Sequence, residues 1–185
     1  SPSMSAIPGY DQIIPKNYFE INPVDYELFI ILDSSNLDQI SKKGEIKFPQ
    51  ELKTIKIDHH QGDTNYANIN LADPSYCATA HIIYDLMTQW KTKITPEIAA
   101  CLFSGIYTDT GGFKYPPTNF ETLQAGSELA KIYPDYFRII FELENSRTPK
   151  QLEFLGLALS SIEIHFSKKV AISFVSYEEL QKHGI

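Results

Sequence analysis

Three consecutive residues, Asp58, His59 and His60, place a carboxylate and two imidazoles directly after the short apolar run KTIKI. A histidine can ligate a metal ion or contact a substrate, and a carboxylate can orient an imidazole by accepting its second N–H. An apolar, β-branched run of this length is typical of a buried parallel strand. The alternative is a solvated polar loop, and the tripeptide alone does not decide between these two interpretations.

Two further carboxylates follow apolar segments elsewhere in the chain. Asp33 closes YELFIILD, the strand predicted over residues 26–33, and Asp109 lies in the glycine-rich segment GIYTDTGGF. The glycines around Asp109 predict a tight loop that can approach a cofactor or phosphate closely. The ordinary alternatives are a turn cap for Asp33 and a simple Asp-Thr-Gly turn for Asp109. Aspartic proteases also use Asp-Thr-Gly, but their fold is all-β, whereas this sequence alternates strands and helices.

These groups have the chemistry of a divalent-metal site that acts on phosphate. Carboxylate oxygens with a neutral imidazole suit Mn²⁺ or Mg²⁺ better than metals that seek thiolates. Ligands of open α/β sheets bind outside the carboxyl ends of the strands, where these residues are predicted to lie. Two ions at such an edge could clamp a phosphoryl group.

The elements around these residues predict an α/β fold: a mostly parallel sheet flanked by helices, then a linker helix and the start of a second α/β domain. Strands are predicted over residues 26–33, 53–60, 66–71 and 169–175, and helices over about 73–90, 95–106, 121–132, 135–143 and 149–166. His81 falls on the first of these longer helices, where a structural histidine is expected rather than a ligand.

Composition excludes several classes of protein. The chain has 185 residues and a formal net charge of −7, which disfavours a broad nucleic-acid surface but allows a small phosphorylated substrate held by metal ions. No apolar run approaches membrane-spanning length and no signal peptide is evident, which predicts a cytoplasmic protein without a membrane partner. Cys77 and Cys101 are expected to be buried free thiols.

The sequence resembles the DHH phosphoesterases on three stretches in order: FIILDSSNLDQI, IKIDHHQGDTNYANINLADPSYCATAHIIYDLM and GIYTDTGGFKYPPTNFETLQAGSELA. That family includes RecJ-like exonucleases, nano-RNases that are also phosphoadenosine-phosphate phosphatases, cyclic-dinucleotide phosphodiesterases and manganese-dependent pyrophosphatases. The TDTGGF segment and the continuation TPKQLEFLGLALSSIEIHFSKKVAISFV are most similar to the nano-RNase branch.

The resemblance implies a role for each candidate residue. Asp33 would bridge two metal ions, and His59 and Asp109 would complete the shell of one of them. His60 would contact the substrate phosphate and stabilise the charge that develops on it. Asp58 would orient the histidine pair from behind.

The implied function is hydrolysis of short single-stranded oligonucleotides or phosphorylated nucleotides with Mn²⁺ or Mg²⁺, and a homodimer is compatible with it. The chain departs from the family in having no counterpart of the first motif before Asp33, no histidine before His59, and Gln39 where many relatives carry an arginine. It also lacks the glycine- and histidine-rich loop of the DHH-associated domain. We therefore expect part of an enzyme with an incomplete metal centre.

The expected organisation is a partial DHH domain over residues 1–146, a linker helix over 147–168 and the beginning of a DHH-associated domain over 169–185. Two alternatives to the phosphoesterase remain open. One is a catalytically inactive nucleotide-binding or regulatory module of the same fold, and the other is a relative of the pyrophosphatases.

Overall fold

The computed structural model describes residues 4–62, 65–145 and 147–184. The contacts between residues divide the chain into two units, Met4–Phe141 and Glu142–Ile185. A three-stranded parallel sheet lies in the first unit, with β1 (Leu28–Leu32) beside β2 (Lys53–Asp58) and β2 beside β3 (Ile69–Ala72). Parallel strands in register bring their carboxyl ends to one edge of the sheet.

Helices flank this sheet, which confirms the predicted α/β fold class. The first unit contains α1 (Leu37–Ile40), α2 (Thr79–Gln89), α3 (Pro96–Asp109) and α4 (Phe120–Ile132), and α5 (Tyr136–Asn145) includes the residues at which the two units divide. Three short 3₁₀ turns precede the sheet, at Tyr10–Gln12, Tyr18–Glu20 and Pro23–Asp25. The predicted strand over residues 26–33 is shorter than expected, since β1 begins at Leu28 and ends at Leu32.

The core of the first unit lies between α2, α3 and α4. Its buried side chains are Ala78, Ala99, Leu102, Phe103, Ile106, Ala125 and Leu129. Gly105 of α3 has no side chain where α2 crosses it, and a Cβ there would lie 2.6 Å from the Cβ of Ala80. This close approach fixes the position of α3 and therefore of its last residue, Asp109.

The two faces of the sheet differ in an unexpected way. On β2 the buried residues are polar, namely Thr54, Lys56 and Asp58, and α2 packs against this strand. The opposite face is apolar and partly or largely accessible to solvent. It carries Leu28, Ile30, Leu32, Ile55, Ile57, Ile69 and Leu71.

Two helix boundaries differ from the sequence prediction. The first concerns α2, which was expected to begin near Asp73 but begins at Thr79. The Asp73 carboxylate instead accepts hydrogen bonds from the amide and hydroxyl of Ser75, which forms a local turn rather than a helix cap.

The second concerns α3, whose predicted start is confirmed: Thr95 caps it and Pro96 is its first residue. The helix was expected to give way to a loop after Ile106, and this prediction is wrong because α3 continues to Asp109. The left-handed turn follows only at Gly111, Gly112 and Phe113, with φ of 58°, 72° and 61°. Asp109 therefore lies at a helix end and not within a glycine loop.

The second unit contains α6 (Pro149–Ser160), the antiparallel pair β4 (Glu163–His165) and β5 (Val170–Ile172), and α7 (Tyr177–Lys182). The predicted helix through residue 166 is wrong in its last part, because α6 ends at Ser160 and the alternating segment EIH pairs as a strand. No described residue of this unit is buried. Side-chain hydrogen bonds hold it instead, including Ser173 Oγ to the Ala158 carbonyl at 2.7 Å.

Both cysteines are free thiols, as predicted, but only Cys77 is buried. Cys101 is exposed because it lies on the outer side of α3, so the expectation of burial is wrong for this residue. Within the described ranges, none of the helices combines the length and apolar character needed to cross a bilayer.

Candidate metal centre

Asp33 is the first residue after β1, and it continues the hydrogen bonding of the sheet. Its amide donates to the Ile57 carbonyl at 3.0 Å, and its backbone has a φ of 57°. A left-handed conformation is unfavourable for a residue with a side chain, although aspartate tolerates it better than most. The surrounding structure must therefore hold Asp33 in place.

Two side chains hold this turn. The Thr79 hydroxyl, at the start of α2, donates to Asp33 Oδ1 at 2.8 Å. Gln39 Oε1 accepts from the amide and hydroxyl of Ser35, two residues beyond Asp33. Gln39 thus stabilises the backbone that follows Asp33.

His59 is the residue around which the other groups lie. Its Nε2 is 3.5 Å from Asp33 Oδ1 and 3.7 Å from Asp109 Oδ2. The imidazole therefore faces carboxylates from two different elements, the end of β1 and the end of α3. This arrangement brings together the three residues predicted to share a cation.

His60 faces a different partner. Its Nδ1 is 2.7 Å from Asp58 Oδ1, and the same oxygen accepts the His60 amide at 3.2 Å. An ionised carboxylate can only accept, so Nδ1 carries the proton and donates it to Asp58. This fixes the tautomer and leaves Nε2 of His60 for another ligand.

Asp58 is fully buried and is held from its other side by a lysine. Lys56, 1% exposed, places Nζ 3.4 Å from Asp58 Oδ2. Burial alone would raise the pKa of Asp58, but the hydrogen bonds from His60 and the charges of His60 and Lys56 outweigh it and hold that pKa below its ordinary value. Asp58 is therefore a fixed anion that orients His60.

Tyr66 contacts both the turn that follows β1 and the end of β2. Its hydroxyl donates to the Ser34 carbonyl at 2.6 Å, and the Lys56 ammonium lies 5.1 Å from the centre of its ring. Burial and the charge of Asp58 raise the pKa of this phenol, which keeps it a neutral donor. Tyr66 thus couples the turn after β1 to the Lys56–Asp58 pair.

Asp109 is under electrostatic strain. Burial and the nearby charge of Asp33 raise its pKa, and the two histidines offset this only in part. Its position at the carboxyl end of α3 also places a negative group at the negative end of the helix dipole. Both effects would be relieved by a cation beside Asp109.

The donor set fits a divalent cation. At bond lengths of about 2.1 Å, neighbouring ligands of an octahedral ion lie about 3 Å apart, close to the distances from His59 to the two carboxylates. The ligand atoms of Asp33, His59 and His60 lie within 4.8 Å of one another, and Asp109 does not belong to this group. Nδ1 of His60 is already bonded to Asp58, whereas Asp109 Oδ2 lies 3.7 Å from His59 Nε2.

The structure brings Asp33, His59, His60 and Asp109 to one place, with Asp58 directly behind His60. Their roles as ligands and catalytic groups stay predictions. His81 lies outside this cluster, buried and 3.9 Å from Asp85.

Sequence reasoning missed the supporting residues Lys56, Tyr66 and Thr79. Lys56 was included in an apolar strand, where period-2 alternation alone cannot tell which face is buried. Thr79 looked like an interior residue of a helix that begins only there. A signal was available for Lys56 alone, since a lysine two residues before a buried carboxylate lies on the same face of a strand.

A parallel sheet with two carboxylates and two imidazoles at its carboxyl edge defines an α/β protein with a candidate divalent-metal centre. Residues 4–106 match the family described as "DHH family, N-terminal domain". The chain belongs to the DHH family, which confirms the resemblance inferred from its motifs.

Two curated relatives carry the same name, "Bifunctional oligoribonuclease and PAP phosphatase NrnA". The one from Thermus thermophilus is 29% identical over 86% of this chain and 48% of its own length, and the one from Mycoplasma pneumoniae is 30% identical over 91% and 51%. The chain therefore spans about half the length of these relatives. A "Manganese-dependent inorganic pyrophosphatase" from Bacillus subtilis is 31% identical over 103 residues.

The fold agrees with a solved structure. An exopolyphosphatase-related protein from Bacteroides fragilis superposes with a TM-score of 0.89 at 25% identity, over 100% of this chain and 56% of that one. The likeness extends over both units of the chain, each of which therefore has a counterpart in that protein.

Proposed function

We propose that this chain carries the metal-binding edge of a phosphoesterase that uses a divalent cation to hydrolyse short oligonucleotides or phosphorylated nucleotides. One observation carries the proposal: His59 Nε2 lies 3.5 Å from a carboxylate oxygen of Asp33 and 3.7 Å from one of Asp109. Membership of the DHH family and the names of the curated relatives support the substrate class.

Asp33, His59 and Asp109 would hold the cation, and the strained carboxyl of Asp109 is the group that gains most from it. A bound Mn²⁺ or Mg²⁺ would neutralise charge on the phosphate and acidify water near it. The name of the pyrophosphatase relative favours manganese. The oxygen-rich donor set is compatible with magnesium as well.

His60 would act directly on the substrate. Its Nδ1–H is fixed on Asp58, so its Nε2, when protonated, would donate to a phosphate oxygen and stabilise the charge that grows there. Lys56 and Asp58 would keep that ring in one orientation. Pre-organised donors of this kind contribute about 10²- to 10³-fold to rate in other enzymes.

The organisation of the chain is part of the proposal. We assign residues 1–146 to a partial DHH domain, 147–168 to a connecting segment and 169–185 to the beginning of a DHH-associated domain. The match over residues 4–106 supports the first assignment. Free thiols at Cys77 and Cys101 support a cytoplasmic location.

The second candidate is a module of the same fold that binds nucleotide without hydrolysing it. One observation favours it: in the part of the chain that the structure describes, Asp33, His59 and His60 form the only group of three potential ligands whose ligand atoms are all mutually close. The proposed reaction needs two ions if it follows the family, and this cluster accounts for one.

The test is an assay of the protein at the full length its gene encodes, with Mn²⁺. Substrates are a 5′-phosphorylated RNA dinucleotide and pyrophosphate, and the variants are His60→Gln and, as a control on the exposed strand β4, His165→Gln. We expect release of mononucleotide, a loss of about 10²-fold or more in His60→Gln, and unchanged turnover in His165→Gln.

Each other outcome has a definite meaning. Binding of the dinucleotide without turnover would favour the second candidate. Preferred cleavage of pyrophosphate would favour the relatives of the pyrophosphatases. Equal turnover by wild type and His60→Gln would contradict the role of His60.

A further inference from the structure

A small pocket of about 220 Å³ adjoins the candidate metal centre and shares His59, His60 and Asp109 with it. Apart from Gln61 and Thr110, its remaining wall is mainly apolar and aromatic. We call it the tyrosine pocket, after a wall formed by Pro74, Tyr76, Cys77, Tyr115, Pro117 and Thr118. None of the described residues that line it is a lysine or arginine, so this wall suits an uncharged group rather than a phosphate.

The two tyrosines are held in place. The Tyr76 hydroxyl donates to Asp85 Oδ2 at 2.8 Å, and its ring contacts the His81 ring edge-on at 4.9 Å. The Tyr115 ring packs on Gly111, whose φ is 58° and where a Cβ would lie 2.5 Å from that ring. Tyr115 is nevertheless 57% exposed, so one side of a positioned aromatic ring is uncovered.

The same wall contains a hydroxyl without a partner. Thr118 Oγ1 is inaccessible to solvent and makes no hydrogen bond to any residue that the structure describes. Leaving a buried hydroxyl unpaired is unfavourable, and a rotation about χ1 would exchange it with the methyl group that neighbours it. After that rotation, a ligand edge with a nitrogen or oxygen atom would satisfy this group.

We propose that the tyrosine pocket receives the base of the nucleotide whose phosphate is held at the metal centre. A base offers flat apolar faces to the tyrosines and a polar edge to Thr118. Stacking on aromatic rings tolerates any base, which suits an enzyme that degrades oligonucleotides of mixed sequence. This inference rests on the proposed function and assigns it a specific subsite.

The first experiment compares two ligands with the same phosphate. Calorimetry with Mn²⁺ measures binding of adenosine 5′-monophosphate and of ribose 5-phosphate, which lacks the base, to the 185-residue chain. We expect the nucleotide to bind about tenfold more tightly, within the range that stacking of one base provides. Tyr115→Ala should abolish this preference, Tyr115→Phe should retain it, and Thr118→Val should reduce it. Tyr177→Ala, on the exposed helix α7, is the control.

The second experiment separates this inference from the proposed function. Adenosine is titrated into the metal-free chain, and NMR resonances of Tyr76, Tyr115 and Thr118 are followed. Shifts at these residues support the pocket even if Mn²⁺ fails to promote phosphate binding, a result that would contradict the proposed function alone. Equal affinity for the two phosphates, or no shift at the pocket with adenosine, would overturn the base site.

Discussion

The two faces of the three-stranded sheet show opposite relations between polarity and burial. Lys56 and Asp58 of β2 are buried on one face, whereas Ile30 and Leu32 of β1 are exposed on the other. Lysine and aspartate are rarely fully buried unless they are paired, because removing a charge from water is costly. Asp58 of this pair also contacts His60, so we expect the pair to support the site rather than the stability of the fold.

The largest expected effect is at Asp58. Asp58→Ala would remove the carboxylate that lies 3.4 Å from the ammonium of the buried Lys56, and we expect a loss of about 3–5 kcal/mol in the free energy of unfolding. The measurement is urea denaturation at pH 7, with Asp11→Ala at an exposed position as the control.

The double variant Lys56→Met/Asp58→Leu separates the loss of the whole ion pair from the loss of one partner. Replacing a whole buried ion pair by apolar residues is often neutral or stabilising. We expect it to recover most of the stability lost by Asp58→Ala while the orientation of His60 stays lost. A double variant as unstable as Asp58→Ala would show that the pair stabilises the fold.

Two neighbouring isoleucines of β1 lie on opposite faces of the sheet, so their substitution compares how much each face contributes to stability. Ile31 is 4% exposed on the buried face, and Ile30 is 53% exposed on the other. Truncating a buried isoleucine to alanine costs about 2–5 kcal/mol, whereas an exposed substitution is usually within about 0.5 kcal/mol. We expect this contrast between Ile31→Ala and Ile30→Ala in urea denaturation. Equal losses would mean that the outer face is covered in solution.

Thr79 tests how the buried side supports the metal centre. Thr79→Val keeps the shape but removes the hydrogen bond to Asp33, and partners of metal ligands typically contribute about 10- to 100-fold to metal affinity. We expect weaker Mn²⁺ binding by calorimetry, by about tenfold. Thr88→Val, at an exposed position of the same helix, should bind as wild type does.

The smallest effect is expected from His81, another buried polar group of the first unit. Burial lowers its pKa, and the charges of Asp85 and Glu121 offset this only in part. The folded state therefore binds a proton less readily than the unfolded chain, whose histidine pKa is about 6.5. The contribution of His81 to stability is present above that value and is lost as the pH falls through the lowered folded pKa.

His81→Gln should accordingly reduce the loss of stability between pH 7 and pH 5. Unfolding free energies at these two values check the prediction, with His165→Gln as the control. A pH dependence equal to that of the wild type would show that His81 does not titrate differently in the folded state.

The sequence allowed prediction of the site more readily than of its support. Carboxyl ends of parallel strands meet at one edge, so Asp33 and His59 could be placed together from two apolar runs. Asp109 was also identified, although it reaches the site from a helix end. Lys56 could be placed on the same strand face as Asp58, but deciding that this face is the buried one requires knowing which side of the sheet α2 covers.

Local side-chain chemistry caused the remaining errors. The Asp73 carboxylate accepts hydrogen bonds from Ser75 in a local turn. These bonds replace the helix cap that the Asp-Pro-Ser pattern indicated. Residues 163–165 continue the apolar spacing of α6 but pair with β5 instead. Pairing partners distant in the chain decide such segments, and a short window does not contain them.

The proposed metal centre requires that His59 and the carboxylates of Asp33 and Asp109 bind the same cation. The direct measurement is electron–nuclear double resonance of Mn²⁺ bound to the chain labelled with ¹⁵N-histidine. We predict a nitrogen coupling that disappears in His59→Gln, persists in His81→Gln and requires both Asp33 and Asp109. A Mn²⁺ spectrum without any histidine coupling, or one unchanged in His59→Gln, would contradict the account.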